Sequence, residues 1–191
     1  MQVTRAGSAG IFEIAVRDGG MRLLVDGDAD MPVYSPDGRW LYFRVLEQPA
    51  PKTSRIPADG GPPELVKDLP AGVLRFTSDG KAVVYARGLE VFMQTLGGGR
   101  SLRLFSKIRS EQSVAVTASA VYAVTRSAAS GDWGLSAWRF ADRKIVPVAV
   151  YAREVGDGIA ISPDDRYALL TQQEHQVRDL MLVDDVDFLR R

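Results

Sequence analysis

Short apolar runs alternate with polar turns rich in glycine and aspartate along the chain. The runs at 40–43 and 82–85 each follow closely on an Asp-Gly pair, and the run at 167–170 follows an Asp-Asp pair. Asp-Gly between short β-rich runs favours a tight hairpin, because glycine adopts a positive φ without a Cβ clash. No segment has a helical period with caps. The pattern therefore predicts antiparallel strands throughout.

The hairpin signal recurs at a regular spacing. Residues 35–43 read Ser-Pro-Asp-Gly-Arg-Trp-Leu-Tyr-Phe, with a looser copy at 77–85 and a third copy at 162–170. Asp37 and Asp79 are 42 positions apart, and Asp79 and Asp164 are 85 apart, which is about two such steps. A period of this length built from strand, turn and strand is typical of a β-propeller blade.

A second set of turns has the same period. Asp18-Gly19 and Asp59-Gly60 are 41 positions apart, and each lies between two further apolar runs. Each unit therefore contains four antiparallel strands. The predicted fold class is all-β, a β-propeller of about four to five four-stranded blades that form an incomplete ring.

The repeats divide the chain into five units. Residues 1–29 form a partial blade without its inner strand, 30–70, 71–110 and 111–154 form full blades, and 155–191 form a partial terminal blade. The third full blade lacks Asp-Gly near Ser119, yet apolar runs persist at 113–117 and 121–125. In the terminal blade we expect strands near 158–162, 166–171 and 180–183.

An open array of blades exposes apolar faces and unpaired edges. We therefore predict that the chain is part of a larger propeller and starts in the middle of a blade. The isolated chain is expected to self-associate or to depend on missing blades.

The repeated acidic and glycine residues are expected to be structural. An aspartate in a tight turn accepts hydrogen bonds from nearby amides, and the glycine supplies the positive φ. A catalytic or metal-binding carboxylate rarely recurs once per blade, which favours the structural interpretation. The predicted turn residues are Asp18, Gly19, Asp37, Gly38, Asp59, Gly60, Asp79, Gly80 and Asp164.

Composition excludes several functions. The 191 residues include 24 basic and 24 acidic side chains, so no excess positive charge exists to neutralise nucleic-acid phosphates. No cysteine is present, which removes disulfides, thiolate zinc sites and cysteine nucleophiles. This fits an extracytoplasmic bacterial protein without requiring one, and we favour the periplasm over the cytoplasm as its location. No apolar run reaches the ~18–20 residues of a membrane span. The first residues lack the pattern of a signal peptide.

Catalytic chemistry has little support. His175 is the single histidine and lies in a polar stretch between two predicted strands, where a solvated loop residue is favoured. The nucleophile elbow Gly-x-Ser-x-Gly, the phosphate-binding loop and His-Glu-x-x-His are all absent. We expect no catalytic residue and no cofactor.

Two acidic groups have spacings that could suit a metal ion. Asp26, Asp28 and Asp30 have the alternation of a calcium loop, but its sixth position is Met31 and its twelfth is Asp37, where glycine and glutamate are needed. A solvated loop between blades is favoured for this group. A solvated edge is favoured for the second group, and weak calcium binding is the alternative for both. The second group is Asp184, Asp185 and Asp187.

One non-repeating segment is a candidate contact surface. Trp133 follows residues 127–132, a polar segment between two strands, and Asp132 precedes it directly. Trp133 and Asp132 could contact a partner from a propeller face, since aromatic residues dominate many interfaces. Trp133 could equally pack under its own loop. Trp40 and Trp138 lie in predicted strands and are expected in the core.

The repeats resemble a known class. Residues 35–43 and the later Pro-Ala-Asp-Gly-Gly-Pro-Pro-Glu-Leu at 57–65 resemble the TolB-type, WD-repeat-like (PD-type) propeller repeats of bacterial proteins. Residues 178–188 are similar to the terminal strand of propellers that follow a sensor, kinase or DNA-binding domain. The resemblance implies the carboxy-terminal portion of such a multidomain protein.

The favoured function is a non-catalytic module that binds a protein or peptide partner, as the sensory or scaffold part of a larger bacterial protein. One alternative is the gating propeller of a prolyl-oligopeptidase-type serine peptidase. Another is a propeller hydrolase or lyase with its site in the central channel. An α/β-hydrolase domain in the adjoining coding sequence would favour the peptidase.

Overall fold

The computed structural model describes residues 9–127, 130–151 and 155–172, and this part of the chain is built from strands without a helix. The strands are β1 (Gly10–Ile14), β2 (Met21–Asp26), β3 (Ala29–Tyr34), β4 (Trp40–Val45), β5 (Lys52–Pro57), β6 (Glu64–Leu65), β7 (Leu74–Phe76), β8 (Ala82–Arg87), β9 (Glu90–Thr95), β10 (Leu102–Ser106), β11 (Val114–Val116), β12 (Ala120–Arg126), β13 (Trp133–Arg139), β14 (Ile145–Tyr151), β15 (Val155–Ile161) and β16 (Ala168–Gln172).

These strands form five antiparallel sheets. Three sheets have four strands in chain order, β3 to β6, β7 to β10 and β11 to β14, which we call blades 2, 3 and 4. The pairs β1–β2 and β15–β16 form two-stranded sheets, called blades 1 and 5. The all-β propeller architecture predicted from the repeats is confirmed, and the ring is not closed.

The first strands of successive blades lie side by side. β3 contacts β7, β7 contacts β11, and β11 contacts β15, so these four strands line the axis of the array. The first and third turns of each full blade therefore lie at one end, which we call the turn face. The hairpin between the second and third strands and the connection to the next blade lie at the opposite end, the loop face.

The hydrophobic core lies in layers between blades. Fully buried valines such as Val83 and Val84 come from opposite faces of β8 and enter different layers, which explains the unbroken apolar run there. The layer between blades 3 and 4 includes Val84, Val91, Phe105, Val121 and Trp138. The layer between blades 2 and 3 includes Tyr42, Leu69, Leu74, Val83 and Tyr85.

Blade 4 closes its first turn without Asp-Gly. The Thr117 hydroxyl accepts hydrogen bonds from the amides of Ser119 and Ala120, both at 3.3 Å. Thr117 is the counterpart of Thr77, whose hydroxyl likewise accepts the Ala82 amide at 3.1 Å, so this turn keeps the hydroxyl bond and lacks the aspartate. In blade 5, β15 begins earlier than the predicted 158–162, because a bulge that includes Gly158, with a φ of 94°, extends the pairing back to Val155.

The outer faces of both terminal sheets carry exposed apolar side chains. Tyr167 and Leu169 are 66% and 74% exposed in blade 5, and Met21 and Leu23 are 54% and 45% exposed in blade 1. The strand predicted at 180–183 lies outside the described residues. No helix in the described ranges is long and apolar enough to cross a membrane.

Candidate partner-binding site

Trp133 lies on the loop face of blade 4, where the sequence predicted a contact residue. It is the first residue of β13 and stands directly opposite Arg126 on β12 and Tyr151 on β14. Its side chain is half-buried, whereas Asp132 beside it is exposed. The hairpin before Trp133 is closed by the Ser127 amide, which donates to the Asp132 carbonyl at 2.8 Å.

Two guanidinium groups lie near the Trp133 ring. The Arg126 guanidinium carbon is 5.1 Å from the ring centroid, and that of Arg109 is 5.6 Å away. Both distances lie within the range in which a cation is attracted to the face of an indole. The ring therefore orders two cations at the loop face, which we call the Trp133 cluster: Arg109, Arg126 and Trp133.

The main chain fixes Arg109 in this position. Arg109 lies in the connection between blades 3 and 4, and its amide donates to the Val124 carbonyl at 2.9 Å. The preceding residue, Ile108, is fully buried and bridges to Thr125. The Arg109 Nε donates to the Val155 carbonyl of blade 5 at 2.9 Å. The cluster therefore joins three blades and is held on rigid elements.

The charge of the cluster is not balanced locally. In the part of the chain that the structure describes, neither Arg109 nor Arg126 forms an ion pair. Arg126 is exposed, and Asp132 is the acidic residue beside Trp133 in sequence. An aromatic ring flanked by unpaired cations is suited to binding a partner with negative charge.

The sequence pointed to Trp133 as a contact residue on a propeller face or as a residue packed under its own loop, and it gave no sign of either arginine. Arg126 could have been found, because it precedes the hairpin segment that Trp133 follows, and a hairpin brings its two flanking residues together. Arg109 could not, because its place depends on how one blade packs on the next.

A second group of charged residues lies nearer the axis on the loop face. Arg44 on β4 forms a bidentate ion pair with Asp30 on β3, with N–O distances of 2.7 and 2.6 Å. Both side chains are largely buried, at 21% and 13% exposure. Hydrogen bonding to Asp30 raises the pKa of Arg44. The expectation that Asp30 belongs to a solvated loop was wrong, because Asp30 lies within β3 and pairs across the sheet.

Arg75 connects blades 3 and 4 beside the axis. Its Nη2 donates to the Glu111 carbonyl at 3.1 Å, whereas its buried Nη1 has no hydrogen-bond partner among the described residues. Burial lowers the pKa of Arg75, and the charge of Glu111 opposes that change. These contacts fix the blade-to-blade connection from which Arg109 extends.

The repeated aspartates lie on the turn face, and each accepts hydrogen bonds from residues of its own turn. Asp37 accepts the Ser35 hydroxyl at 2.6 Å and the Arg39 Nε at 2.7 Å. Hydrogen bonds from Ser35 and then Arg39 lower the pKa of Asp37 to about 2. Asp79 and Asp164 accept equivalent bonds from Thr77 and Ser162, which lower the pKa of each aspartate.

The outer turns are closed in different ways. The Asp18 carboxylate accepts a hydrogen bond from the Gly20 amide at 2.9 Å. The main-chain carbonyl of Asp59 instead accepts one from the Arg22 guanidinium at 2.8 Å. The predicted glycines of the first turns and of the outer turns all adopt positive φ, and they are Gly19, Gly38, Gly60 and Gly80. A groove of about 860 Å³ on this face separates blades 2 and 3 and is lined in part by Asp37, Asp68 and Asp79.

Candidate metal ligands are dispersed within residues 9–127, 130–151 and 155–172. Within those ranges no three His, Cys, Asp or Glu residues are grouped so that they could hold a metal ion. His175 and the acidic residues Asp184, Asp185 and Asp187 lie outside the described part of the chain. Trp138 is buried as expected, while Trp40 is half-buried with the Arg55 guanidinium 4.0 Å from its ring.

Comparison with known proteins places the fold. No model of a known protein family matches the chain, and no curated protein matches it. TolB from Acinetobacter baumannii aligns with a TM-score of 0.59 at 15% identity, over 87% of this chain and 49% of its own. A TolB structure from Agrobacterium tumefaciens aligns with a TM-score of 0.63 at 16% identity, over 91% of this chain and 65% of its own.

The tricorn protease is a third solved structure with this likeness. It aligns with a TM-score of 0.60 at 12% identity, over 87% of this chain and 17% of its own. The class defined by the sheets and these likenesses is the β-propeller. The fold of this chain is that of a TolB-like propeller with an open ring, and it spans about half to two thirds of the two TolB chains.

Proposed function

We propose that this chain is a non-catalytic β-propeller module that binds a protein or peptide partner through its loop face. The observation that carries the proposal is the Trp133 cluster, in which one half-buried ring orders two arginines that have no ion pair among the described residues. Trp and Arg are the residue types most often found at the energetic centre of protein interfaces.

The cluster favours binding over catalysis. Its groups are permanently charged guanidiniums and an indole, none of which transfers protons near neutral pH. The described ranges contain no histidine, so no serine or threonine hydroxyl in them has an imidazole base beside it. No comparable group of side chains among the described residues supports the two alternatives, a gating propeller and a hydrolase or lyase with a site in the channel.

We place the module in a larger bacterial protein, as its sensory or scaffold part, in the periplasm. The support is the TolB-like fold, the fraction of the TolB chains that this chain spans, and the absence of cysteine from the sequence. This placement predicts that the partner is also exported.

The test is a crosslinking experiment followed by a binding measurement. A photoreactive amino acid at the exposed position 132, beside an intact Trp133, should capture a partner, which is then purified and titrated calorimetrically against the full chain. Trp133→Ala should weaken binding by at least about tenfold, because interface tryptophans commonly contribute at this level. The matched control is Tyr167→Ala, which removes an exposed aromatic ring with an arginine 5.6 Å from it in blade 5.

The control variant should change the affinity by less than about twofold, as expected outside an interface. Circular dichroism should show that both variants remain folded. Equal affinity of the Trp133→Ala variant and the unsubstituted chain for the partner would refute the loop-face assignment.

A further inference from the structure

A groove of about 550 Å³ runs between the outer strand of blade 3 and the outer half of blade 4. β10 forms one wall, and β13 with β14 forms the other. The end of β12 reaches the groove through Arg126, which also belongs to the Trp133 cluster. The groove therefore continues the loop-face site along the side of the propeller.

The groove has a one-sided charge. Its charged lining residues are Arg103 and Arg126, and no acidic residue lines it among the described residues. Arg103 forms an exposed ion pair with Glu90 at 2.8 Å, a kind of pair that stabilises little. Arg126 has no such pair in the described ranges. The groove therefore favours a ligand that brings a carboxylate to Arg126.

The walls offer exposed apolar surface beside these cations. Val150 and Ile145 on β14 are 60% and 53% exposed. Gly134 on β13 lets the two strands of this wall approach closely, because a Cβ there would lie 2.6 Å from the Ala149 carbonyl oxygen. The wall is thus a flat apolar strip, which suits an occupant with apolar side chains at alternate positions.

The opposite wall ends in a free strand edge. β10 is the last strand of its sheet and pairs with β9 alone, so one row of its main-chain groups is free of strand partners within the described residues. The pairing slips by one residue at Leu104. A free strand edge beside an apolar wall is the geometry in which extended peptides bind by adding a strand.

We propose that this groove binds an extended acidic segment of the partner. The segment adds to the β10 edge, places apolar side chains on Val150 and Ile145, and places a carboxylate at Arg126. The proposal rests on the proposed function, since it describes how the partner would extend from the Trp133 cluster. The expected ligand is therefore an extended segment with apolar side chains at alternate positions and a carboxylate near one end.

The test uses a fluorescein-labelled peptide of alternating threonine and valine that ends in two glutamates, titrated into the full chain by anisotropy. The matched peptide ends in two glutamines. We expect the acidic peptide to bind at least about tenfold more tightly, with a difference that shrinks as salt is added. Hydrogen exchange should slow at residues 102–106 in the complex, as expected for an added strand.

Variants of the chain separate charge from shape. Arg126→Glu and Val150→Asp should each weaken acidic-peptide binding by about tenfold or more, because like charges then face each other. Arg100→Glu makes the same charge change in the β9–β10 turn at the opposite end of blade 3, and should change binding by less than about twofold. Circular dichroism checks the fold of each variant.

Several results would overturn the groove assignment. Equal binding of the two peptides, an Arg126→Glu variant that binds as the unsubstituted chain does, or unchanged exchange at β10 would each do so. Occupation of the groove by a second copy of the chain, seen as crosslinks from β10 to β14 of another molecule, would also overturn it. If Trp133→Ala still abolishes partner binding, the proposed function stands while this inference fails.

Discussion

The Ser119 hydroxyl of blade 4 donates a 2.6 Å hydrogen bond to the carboxylate of Asp165 in blade 5. Asp165 occupies the turn position that glycine holds at Gly38 and Gly80, and it adopts the same left-handed backbone, with a φ of 59°. Burial raises the pKa of Asp165, but hydrogen bonds led by that from Ser119 outweigh burial, and the pKa is lowered overall. In blade 5 an aspartate therefore adopts a left-handed backbone that glycine adopts without strain, and its carboxylate forms a hydrogen bond to blade 4.

We expect this contact to be measurable as a coupling energy. A double-mutant cycle of Ser119→Ala and Asp165→Gly, followed by chemical denaturation, should give a coupling of about 1 kcal/mol in the free energy of unfolding. Glycine at position 165 removes the left-handed strain, so the single variant alone underestimates the bond. Effects that add within error would show that the hydrogen bond contributes nothing.

The turn aspartates should titrate at unusually low pH. The pKa of Asp37 is lowered from 3.8 to about 2, so its turn is stabilised above about pH 4 and that stabilisation is lost as the pH falls toward 2. Carbon-13 NMR of the carboxyl carbons should show this midpoint. Ser35→Ala should raise it, because the Ser35 hydrogen bond is the largest cause. A midpoint near 3.8 in the unsubstituted chain would contradict the assignment.

Breaking the Asp30–Arg44 pair should cost more than replacing it. Asp30→Ala leaves a largely buried guanidinium without its partner, and we expect it to lower the free energy of unfolding by about 3 kcal/mol. Asp30→Leu combined with Arg44→Met removes both charges and should recover most of that loss. Urea denaturation measures both variants. If the double variant is no more stable than Asp30→Ala, then burying the unpaired Arg44 guanidinium is not what destabilises the single variant.

Gly134 should not tolerate a side chain. The Cβ of an alanine there would lie 2.6 Å from the main-chain oxygen of Ala149, so the β13–β14 pairing must shift. We expect Gly134→Ala to destabilise the chain by about 1–3 kcal/mol. Gly72→Ala is the control, because its Cβ would lie 3.4 Å from the Ala86 oxygen and needs no comparable shift. Equal stability of the two variants would contradict the close approach.

The exposed apolar sheet faces should govern association. Leu169 is 74% exposed on blade 5, and light scattering of the isolated chain should show a mass that rises with concentration. Leu169→Lys should reduce this rise without changing the circular dichroism spectrum. Monodisperse monomers with a sharp cooperative melt would refute the expectation that the open array self-associates.

The repeat made the fold predictable, because Asp-Gly turns at a period near 42 determine where hairpins form. The Thr117 turn was harder to predict, since it lacks the Asp-Gly signal and keeps a hydroxyl bond of the kind that Thr77 makes in blade 3. The site was only partly predictable. Trp133 stood out as a non-repeating aromatic residue, but the cations around it depend on packing between blades, which a period within one blade does not encode.

The strands that the structure describes pair only within their own sheet, and the described contacts between sheets include side-chain hydrogen bonds such as Ser119 to Asp165 and Arg109 to the Val155 carbonyl. A whole repeat can therefore be duplicated or deleted in a gene without leaving a broken ladder in the product. The number of blades that fit around the axis then depends on how far apart the side chains between neighbouring sheets hold them. A Cβ at position 80 would lie 3.7 Å from the Pro36 ring, so a side chain larger than that of alanine would push blades 2 and 3 apart at this point and favour a ring with fewer blades.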